Sequence, residues 1–237
     1  MRALGLTAVL MMVSGASLGR AGGPPAETVY LLHGMGRTRA SMLLLSLRLE
    51  KAGYRTVNFR YSQTTHSLDE ITERLLESVE RDAGGGKYHL IGHSLGNIVI
   101  RNGFKTGFPP GLGRIVMLAP PNRPAALAAR FKGNVLYHWI TGDSGQKLSE
   151  AEFYDSLPVP SAEFAVIAGT RGTTLLSGAP NDGIVLVEST KLAGMKDFAE
   201  LRHAHTFIMN ARDTFELCRR FLSVGTFSVP IPGHVRK

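Results

Sequence analysis

The sequence predicts an α/β fold, a mostly parallel sheet of about six strands with helices on both faces and a small cap insertion. Three observations predict it. Short apolar runs rich in β-branched residues alternate along the chain with longer stretches of helical apolar period, the pattern of strand, crossover helix and next strand. Runs such as Thr28-Val29-Tyr30-Leu31-Leu32 and Tyr88-His89-Leu90-Ile91 read as buried parallel strands, covered on both faces, and end in glycine-containing loops. A chain of 237 residues with 43% apolar content is about one domain's worth, with ample core and no internal repeat.

Arg2 followed by the apolar stretch Ala3 to Val13 and then small residues reads as a secretory signal peptide over residues 1–21, or as an N-terminal anchor if it stays uncleaved. Cleavage is expected after Ala16 or Ala21, and the chain is expected to leave the cytoplasm, periplasmic or secreted. Residues 22–237 then make one domain. After the strand from Thr28 comes a Leu-dense helix from about Arg39 to Ala52, stopped at Gly53, and a strand Arg55 to Tyr61. Ser67-Leu68-Asp69-Glu70 is a capping box that opens a helix with Leu68, Ile71, Leu75, Leu76 and Val79 on one face, and Gly84-Gly85-Gly86 ends it. The strand from Tyr88 leads through Gly92 to a helix over 96–106, a Gly/Pro turn over 107–113 and a strand Arg114 to Leu118. Between Pro120 and Pro160 the alternation breaks. Leu127, Phe131, Val135, Leu136, Trp139 and Ile140 recur at roughly helical spacing before Pro158-Val159-Pro160, which predicts an insertion over about 122–160 at the carboxyl ends of the strands, where ligands bind. A strand Phe164 to Ala168, a ribbon near Ile184 to Glu188, a strand over 197–202 and a helix over 206–222 complete the domain. Cys218, the lone cysteine, falls on the apolar face of that last helix and reads as a buried, inert thiol.

Gly92-His93-Ser94-Leu95-Gly96 joins an apolar strand to an apolar helix. Gly-x-Ser-x-Gly in that setting is a turn so tight that only small residues fit around the serine. It lifts Ser94 Oγ clear of the sheet and aims the Leu95 N–H, at a helix N-terminus, toward an oxyanion. His33-Gly34-Met35-Gly36, in the loop after the first strand, offers a second donor in the Met35 N–H. Asn181-Asp182-Gly183 and His203-Ala204-His205-Thr206-Phe207 add an acid and an imidazole, so that Ser94, Asp182 and His205 run in the chain order Ser, Asp, His. His203 competes with His205, since residues two apart on extended chain share a face, and Asp143, Asp155 and Asp197 are the other acids in reach of the argument.

Leu-His-Gly-x-Gly-Arg-Thr at 32–38, Gly-His-Ser-x-Gly at 92–96, Ala-Pro-Pro-Asn at 119–122, Asn-Asp-Gly at 181–183 and His-Thr-Phe at 205–207 occur together. With them the chain resembles small bacterial lipase-like and esterase-like proteins of the α/β-hydrolase superfamily. The resemblance implies a reduced α/β-hydrolase fold, lacking the two antiparallel strands that open larger members. It implies Ser94 as nucleophile, His205 as base and Asp182 as its orienter, with Met35 and Leu95 as the oxyanion hole. The insertion becomes a cap, and His33, Phe131 and Trp139 become candidates for substrate contact. The implied reaction is hydrolysis of a carboxylic ester, lipid or other acyl ester, through an acyl-enzyme. Acyl transfer by the same triad and thioester or amide cleavage are the alternatives.

No cofactor is implied, and no His/Cys/Asp/Glu spacing suits a metal. Formal charge is +8, or +6 without Arg2 and Arg20. The basic residues are scattered apart from Arg219-Arg220 and the tail from His234 to Lys237, which reads as a solvated basic surface, with peripheral contact to an anionic lipid surface as the alternative. Aromatics interleaved with Lys/Arg are absent, so no nucleic-acid partner is expected.

Overall fold

The computed structural model describes residues 26–123, 150–172 and 178–228. The expected signal segment and most of the expected insertion, including Phe131 and Trp139, lie outside the described residues. Six strands, β1 (Thr28–Leu32), β2 (Arg55–Asn58), β3 (Tyr88–His93), β4 (Leu112–Leu118), β5 (Glu163–Gly169) and β6 (Asp197–Leu201), form one sheet in the order β2-β1-β3-β4-β5-β6. Every neighbouring pair is parallel. The helices are α1 (Leu43–Lys51), α2 (Leu68–Ala83), α3 (Leu95–Gly103), α4 (Glu150–Ser156), α5 (Val187–Thr190) and α6 (Arg212–Val224), with 3-10 turns at Arg39–Met42 and Ile208–Asn210. Among the described residues no helix is long and apolar enough to cross a membrane.

Strand residues point alternately to opposite faces, and each face has its own cover. Val29, Leu31, Ile91, Val116 and Ile167 pack with Leu45 and Leu49 of α1 and with Cys218, Phe221 and Leu222 of α6. Tyr30, Leu32, Leu90, Met117 and Val166 pack with Ile71 and Leu75 of α2 and with Ile98 and Val99 of α3. Coverage on both sides is why these strands read as unbroken apolar runs, and full burial of each large apolar side chain stabilises the fold by about 1.5–3 kcal/mol. The box at Ser67 caps α2 as its sequence requires: Ser67 Oγ accepts from Glu70 N at 3.3 Å, and Ser67 N donates to Glu70 Oε2 at 2.7 Å.

The chain leaves β1 for β2 at one edge and comes back to β3 on the other side of β1. The loops after β1 and β3 therefore part at the carboxyl ends of adjacent strands and open the crevice that α/β sheets use for ligands.

Three local expectations give way. β2 ends at Asn58 and not at Tyr61, whose hydroxyl turns back to donate to the His33 carbonyl. The ribbon near Ile184 to Glu188 is a single bridge, Asn181 with Leu186, followed by α5. Asp182 Oδ1 accepts the N–H groups of Ile184 and Val185, at 2.9 and 2.7 Å, so those donors are not available to a ladder. The last helix starts at Arg212, because Ala211 is extended (φ −74°, ψ 147°) and separates it from the 3-10 turn before it.

Candidate active site

Ser94 sits between the last residue of β3 and the first of α3 with φ 51° and ψ −117°, a conformation that non-glycine residues rarely adopt and that costs about 1–3 kcal/mol. The surroundings over-determine it. Ser94 N and Asn97 Nδ2 both donate to the Leu118 carbonyl at the end of β4, at 3.0 and 3.1 Å. The glycines either side have no room for a side chain: a Cβ at Gly92 would stand 2.4 Å from Asn97 Oδ1, and one at Gly96 2.5 Å from the Leu32 carbonyl oxygen. Leu95 is the first residue of α3, where the backbone N–H has no acceptor within the helix and points out of its positive end.

The loop after β1 runs directly against this turn. A Cβ at Gly34 would lie 2.8 Å from His93 Nδ1 and 3.1 Å from Ser94 Cβ. Arg37 N bonds the Gly34 carbonyl at 3.3 Å and closes a turn with Met35 at its tip. His33 lies beneath, fully buried, stacked on Tyr61 with ring centroids 4.0 Å apart and donating from Nδ1 to the Gly34 carbonyl at 3.0 Å. Burial pulls its pKa below the usual imidazole range. His33 thus supports the loop from below and does not face solvent.

Asp182 and His205 come together in the loops after β5 and β6. His205 Nδ1 donates to Asp182 Oδ2 at 2.7 Å, and His205 N to the Asp182 carbonyl at 2.9 Å. With Oδ1 held by Ile184 and Val185, the carboxylate is fixed at both oxygens and keeps His205 in the tautomer that leaves Nε2 unprotonated. The His205 loop is tied to the serine turn by His93, whose Nε2–H donates to the His205 carbonyl at 2.9 Å and whose ring lies 4.9 Å from that of His205. Burial holds His93 well below the usual imidazole pKa, so it stays neutral. His203 faces elsewhere, with Nε2 at 2.8 Å from Asp213 Oδ1. Asp197 accepts from Thr226 and Phe227 at the far end of β6. Among the described residues no group of three or more His, Cys, Asp or Glu could hold a metal ion.

A surface depression of about 610 Å³, lined by Met35, Gly36 and residues Gln63 to Ser67, adjoins the loop after β1. A larger cavity of about 1010 Å³, lined in part by Glu27, Lys51, Tyr54 and Arg219, opens at the amino ends of the strands, on the wrong side of the sheet for Ser94. Of these two, the depression beside Met35 lies at the carboxyl ends of the strands, the end that carries Ser94.

One residue with a structural part to play escapes sequence reasoning altogether. Arg101, on α3, is buried, and its guanidinium donates to the carbonyls of Pro158, Asn122, Tyr154 and Leu157 at 3.0, 3.3, 3.2 and 2.5 Å. Burial draws its pKa down to about 10. It joins the two stretches that flank residues 124–149. The only sequence signal is a cation amid Ile98, Val99 and Ile100, which names no partner.

A strained serine at a strand-to-helix turn, on a six-stranded parallel sheet with a buried His–Asp pair in the following loops, defines a class of fold and site. The chain matches the alpha/beta hydrolase family over residues 29–223 and belongs to it. Among solved structures it is similar to the mature lipase BlEst2 of Bacillus licheniformis, at 16% identity over 86% of this chain and 94% of that one, with a TM-score of 0.64. It is also similar to a gene product of Listeria innocua (15% identity, 84% and 94% covered, TM-score 0.58). An extracellular alpha/beta-hydrolase of a Paenibacillus species is similar too (15%, 82% and 98%, 0.54). At these identities the likeness is one of fold. No curated protein matches the chain.

Proposed function

We propose that the chain is a serine hydrolase of carboxylic esters, with Ser94 as nucleophile, His205 as base and Asp182 as the residue that orients it. The observation that carries this reading is the buried His205–Asp182 pair, tied through His93 to the strained Ser94 turn. A serine hydroxyl is a weak nucleophile until a neighbouring imidazole can take its proton during attack. His205, fixed by Asp182, has its Nε2 unprotonated for that purpose. Ser94 Oγ adds to the ester carbonyl, and the N–H groups of Met35 and Leu95 receive the oxyanion, each donor contributing about 3–4 kcal/mol to the transition state. His205 then gives its proton to the departing alcohol, and water, activated by the same imidazole, releases the acid from the acyl-enzyme. The alpha/beta hydrolase family hosts many chemistries, so the ester class rests on the site and not on the fold.

The test pairs covalent labelling with turnover. The wild-type chain is expected to take a fluorophosphonate probe at Ser94 and to hydrolyse p-nitrophenyl esters, with Ser94→Ala abolishing both. Equal labelling of Ser94→Ala would remove Ser94 from the reaction, and labelling without turnover of p-nitrophenyl esters of short or long acyl chain would favour another acyl substrate.

A further inference from the structure

Six arginines that look scattered in the sequence are gathered in space. In a parallel sheet all the loops that follow strands gather at one end, and here those loops carry Arg37 and Arg39 after β1, Arg60 after β2, Arg123 after β4, Arg171 after β5 and Arg202 after β6. Arg37 is half-buried and the others are exposed. Among the described residues only Arg123 has a carboxylate within 4.0 Å, Glu188 at 3.9 Å, which is shared with Lys191 at 2.7 Å. Four acids at this end are engaged, Asp182 with His205, Asp213 with His203, Asp69 with Asn102 and Glu70 with the Ser67 cap, and Glu200 near the end of β6 is exposed. At the amino ends of the strands Lys87 and His89 are paired with Glu27, Arg81 with Asp82, and Arg114 and Lys196 with Glu163, while Lys51, Arg55 and Lys105 have no carboxylate within 4.0 Å among the described residues.

Exposed apolar side chains gather at the same end as the free arginines. Leu43, Leu44 and Leu47 on the outer side of α1 are 51, 42 and 45% exposed, and Phe207, two residues after His205, is 63% exposed. The 3-10 turn that leads into α1 packs against the one that follows Phe207, which brings the start of α1 and Phe207 near each other. Ile184, two residues after Asp182, is 49% exposed as well. Single exposed apolar residues are ordinary, but a group of them rimmed by unpaired cations marks a surface made for contact.

We propose that this face docks on an anionic lipid surface, the arginines meeting the headgroups and Leu43, Leu44, Leu47 and Phe207 entering the acyl boundary. Charge complementarity selects the partner. Near an anionic leaflet each basic residue strengthens binding by roughly fivefold, and the apolar side chains supply the insertion that a soluble anion would not use. An ester then reaches Ser94 from the lipid phase. That last step rests on the proposed hydrolase reading, whereas docking does not need catalysis.

Sedimentation with vesicles tests the proposal, using the chain purified after any processing, in its Ser94→Ala form so that lipid stays intact. Vesicles of mixed phosphatidylglycerol and phosphatidylcholine are expected to bind it at least tenfold more tightly than phosphatidylcholine alone, with the difference largely lost in 0.5 M salt, where the screening length is about half that at physiological ionic strength. Adding Leu43→Ser, Leu44→Ser and Leu47→Ser together, or Arg39→Gln, Arg60→Gln and Arg202→Gln together, is expected to lower affinity for the mixed vesicles by roughly tenfold or more. In the Ser94 background the same two triple variants are expected to hydrolyse p-nitrophenyl acetate at the wild-type rate, which shows them folded. Equal binding to both kinds of vesicle, no binding to either, or undiminished binding by both variants overturns docking. So does a concentration-dependent dimer broken by the leucine variant in a chain that ignores vesicles. Vesicle binding without soluble esterase activity would overturn the hydrolase reading and leave docking in place.

Discussion

His203 and His205 stand two residues apart and each meets an aspartate at almost the same distance, 2.8 and 2.7 Å, in very different surroundings. The His205–Asp182 pair is closed to water, with side chains 7 and 1% exposed, and its carboxylate is pinned by two further N–H donors. The His203–Asp213 pair is 28 and 54% exposed at the start of α6. A pair on the surface is screened by water and salt and contributes about 0–1 kcal/mol, while a buried one acts in a low dielectric and holds a single tautomer. Distance alone therefore does not distinguish an enclosed, fixed imidazole from a surface ion pair. Burial and a fixed carboxylate do.

The strongest way to break that comparison is to damage the buried pair. Asp182→Asn keeps the shape of the side chain and loses the charge that favours imidazolium, and it is expected to lower kcat about 10⁴-fold, or about 5.4 kcal/mol, with little change in KM. His205→Ala is expected to cost at least as much. The two losses should not add, because in the proposed mechanism nucleophile, base and orienter work as a unit. Steady-state kinetics on folded variants decides it, and full activity in either would remove the pair from catalysis.

Arg101 extends the comparison to a buried cation whose described partners are carbonyls. Arg101→Ala leaves those acceptors without their donor in the interior, and a loss of about 3 kcal/mol of stability is expected, read by denaturant unfolding. Arg101→Lys, with fewer and differently placed donors, should recover part of it. A loss below about 1 kcal/mol in Arg101→Ala would mean that the guanidinium network is incidental.

A third pair, His89 with Glu27, sharpens the point from the other end of the sheet. His89 Nε2 donates to Glu27 at 2.9 Å while Nδ1 accepts from Arg114 N at 2.9 Å, which fixes a neutral ring. Burial pulls His33, His89 and His93 below the usual imidazole pKa, so the folded chain holds them neutral where the unfolded chain would protonate. Unfolding then takes up protons as pH falls below about 6.5, and stability drops by about 1.4 kcal/mol per pH unit for each histidine until its folded-state pKa is reached. Urea melts between pH 7.5 and 5.5 should show that decline. A flat profile would contradict burial of neutral rings.

What the sequence makes legible follows the range of the contacts. The turn around Ser94, the capping box at Ser67 and the alternation of strands depend on neighbours within a few residues, and they stand where the pattern puts them. The site has to be assembled by the sheet. Arg101 meets carbonyls more than fifty residues away in Tyr154, Leu157 and Pro158, and nothing in the local pattern encodes that. The arginines after the strands form no run in the chain, since strand topology alone gathers them. The ribbon expected after Asp182 failed for a chemical reason, the side chain of Asp182 having taken the backbone donors.

The smallest effect is expected at His203, and it is the most discriminating. His203→Ala removes an imidazole as close to an aspartate as His205 is to its own, on the same short loop, so any argument from residue type or spacing treats the two alike. The surroundings do not. His203 is partly solvated and its partner Asp213 is more than half exposed, so water replaces the lost contact. Asp213 keeps a bond from Thr214 N at 2.8 Å, and the negative charge still suits the first turn of α6. His203→Ala is therefore expected to lower kcat/KM less than tenfold, below about 1.4 kcal/mol, and to change stability by about 1 kcal/mol or less. A dead His203→Ala beside an active His205→Ala would reverse the assignment of the base and leave the fold as described.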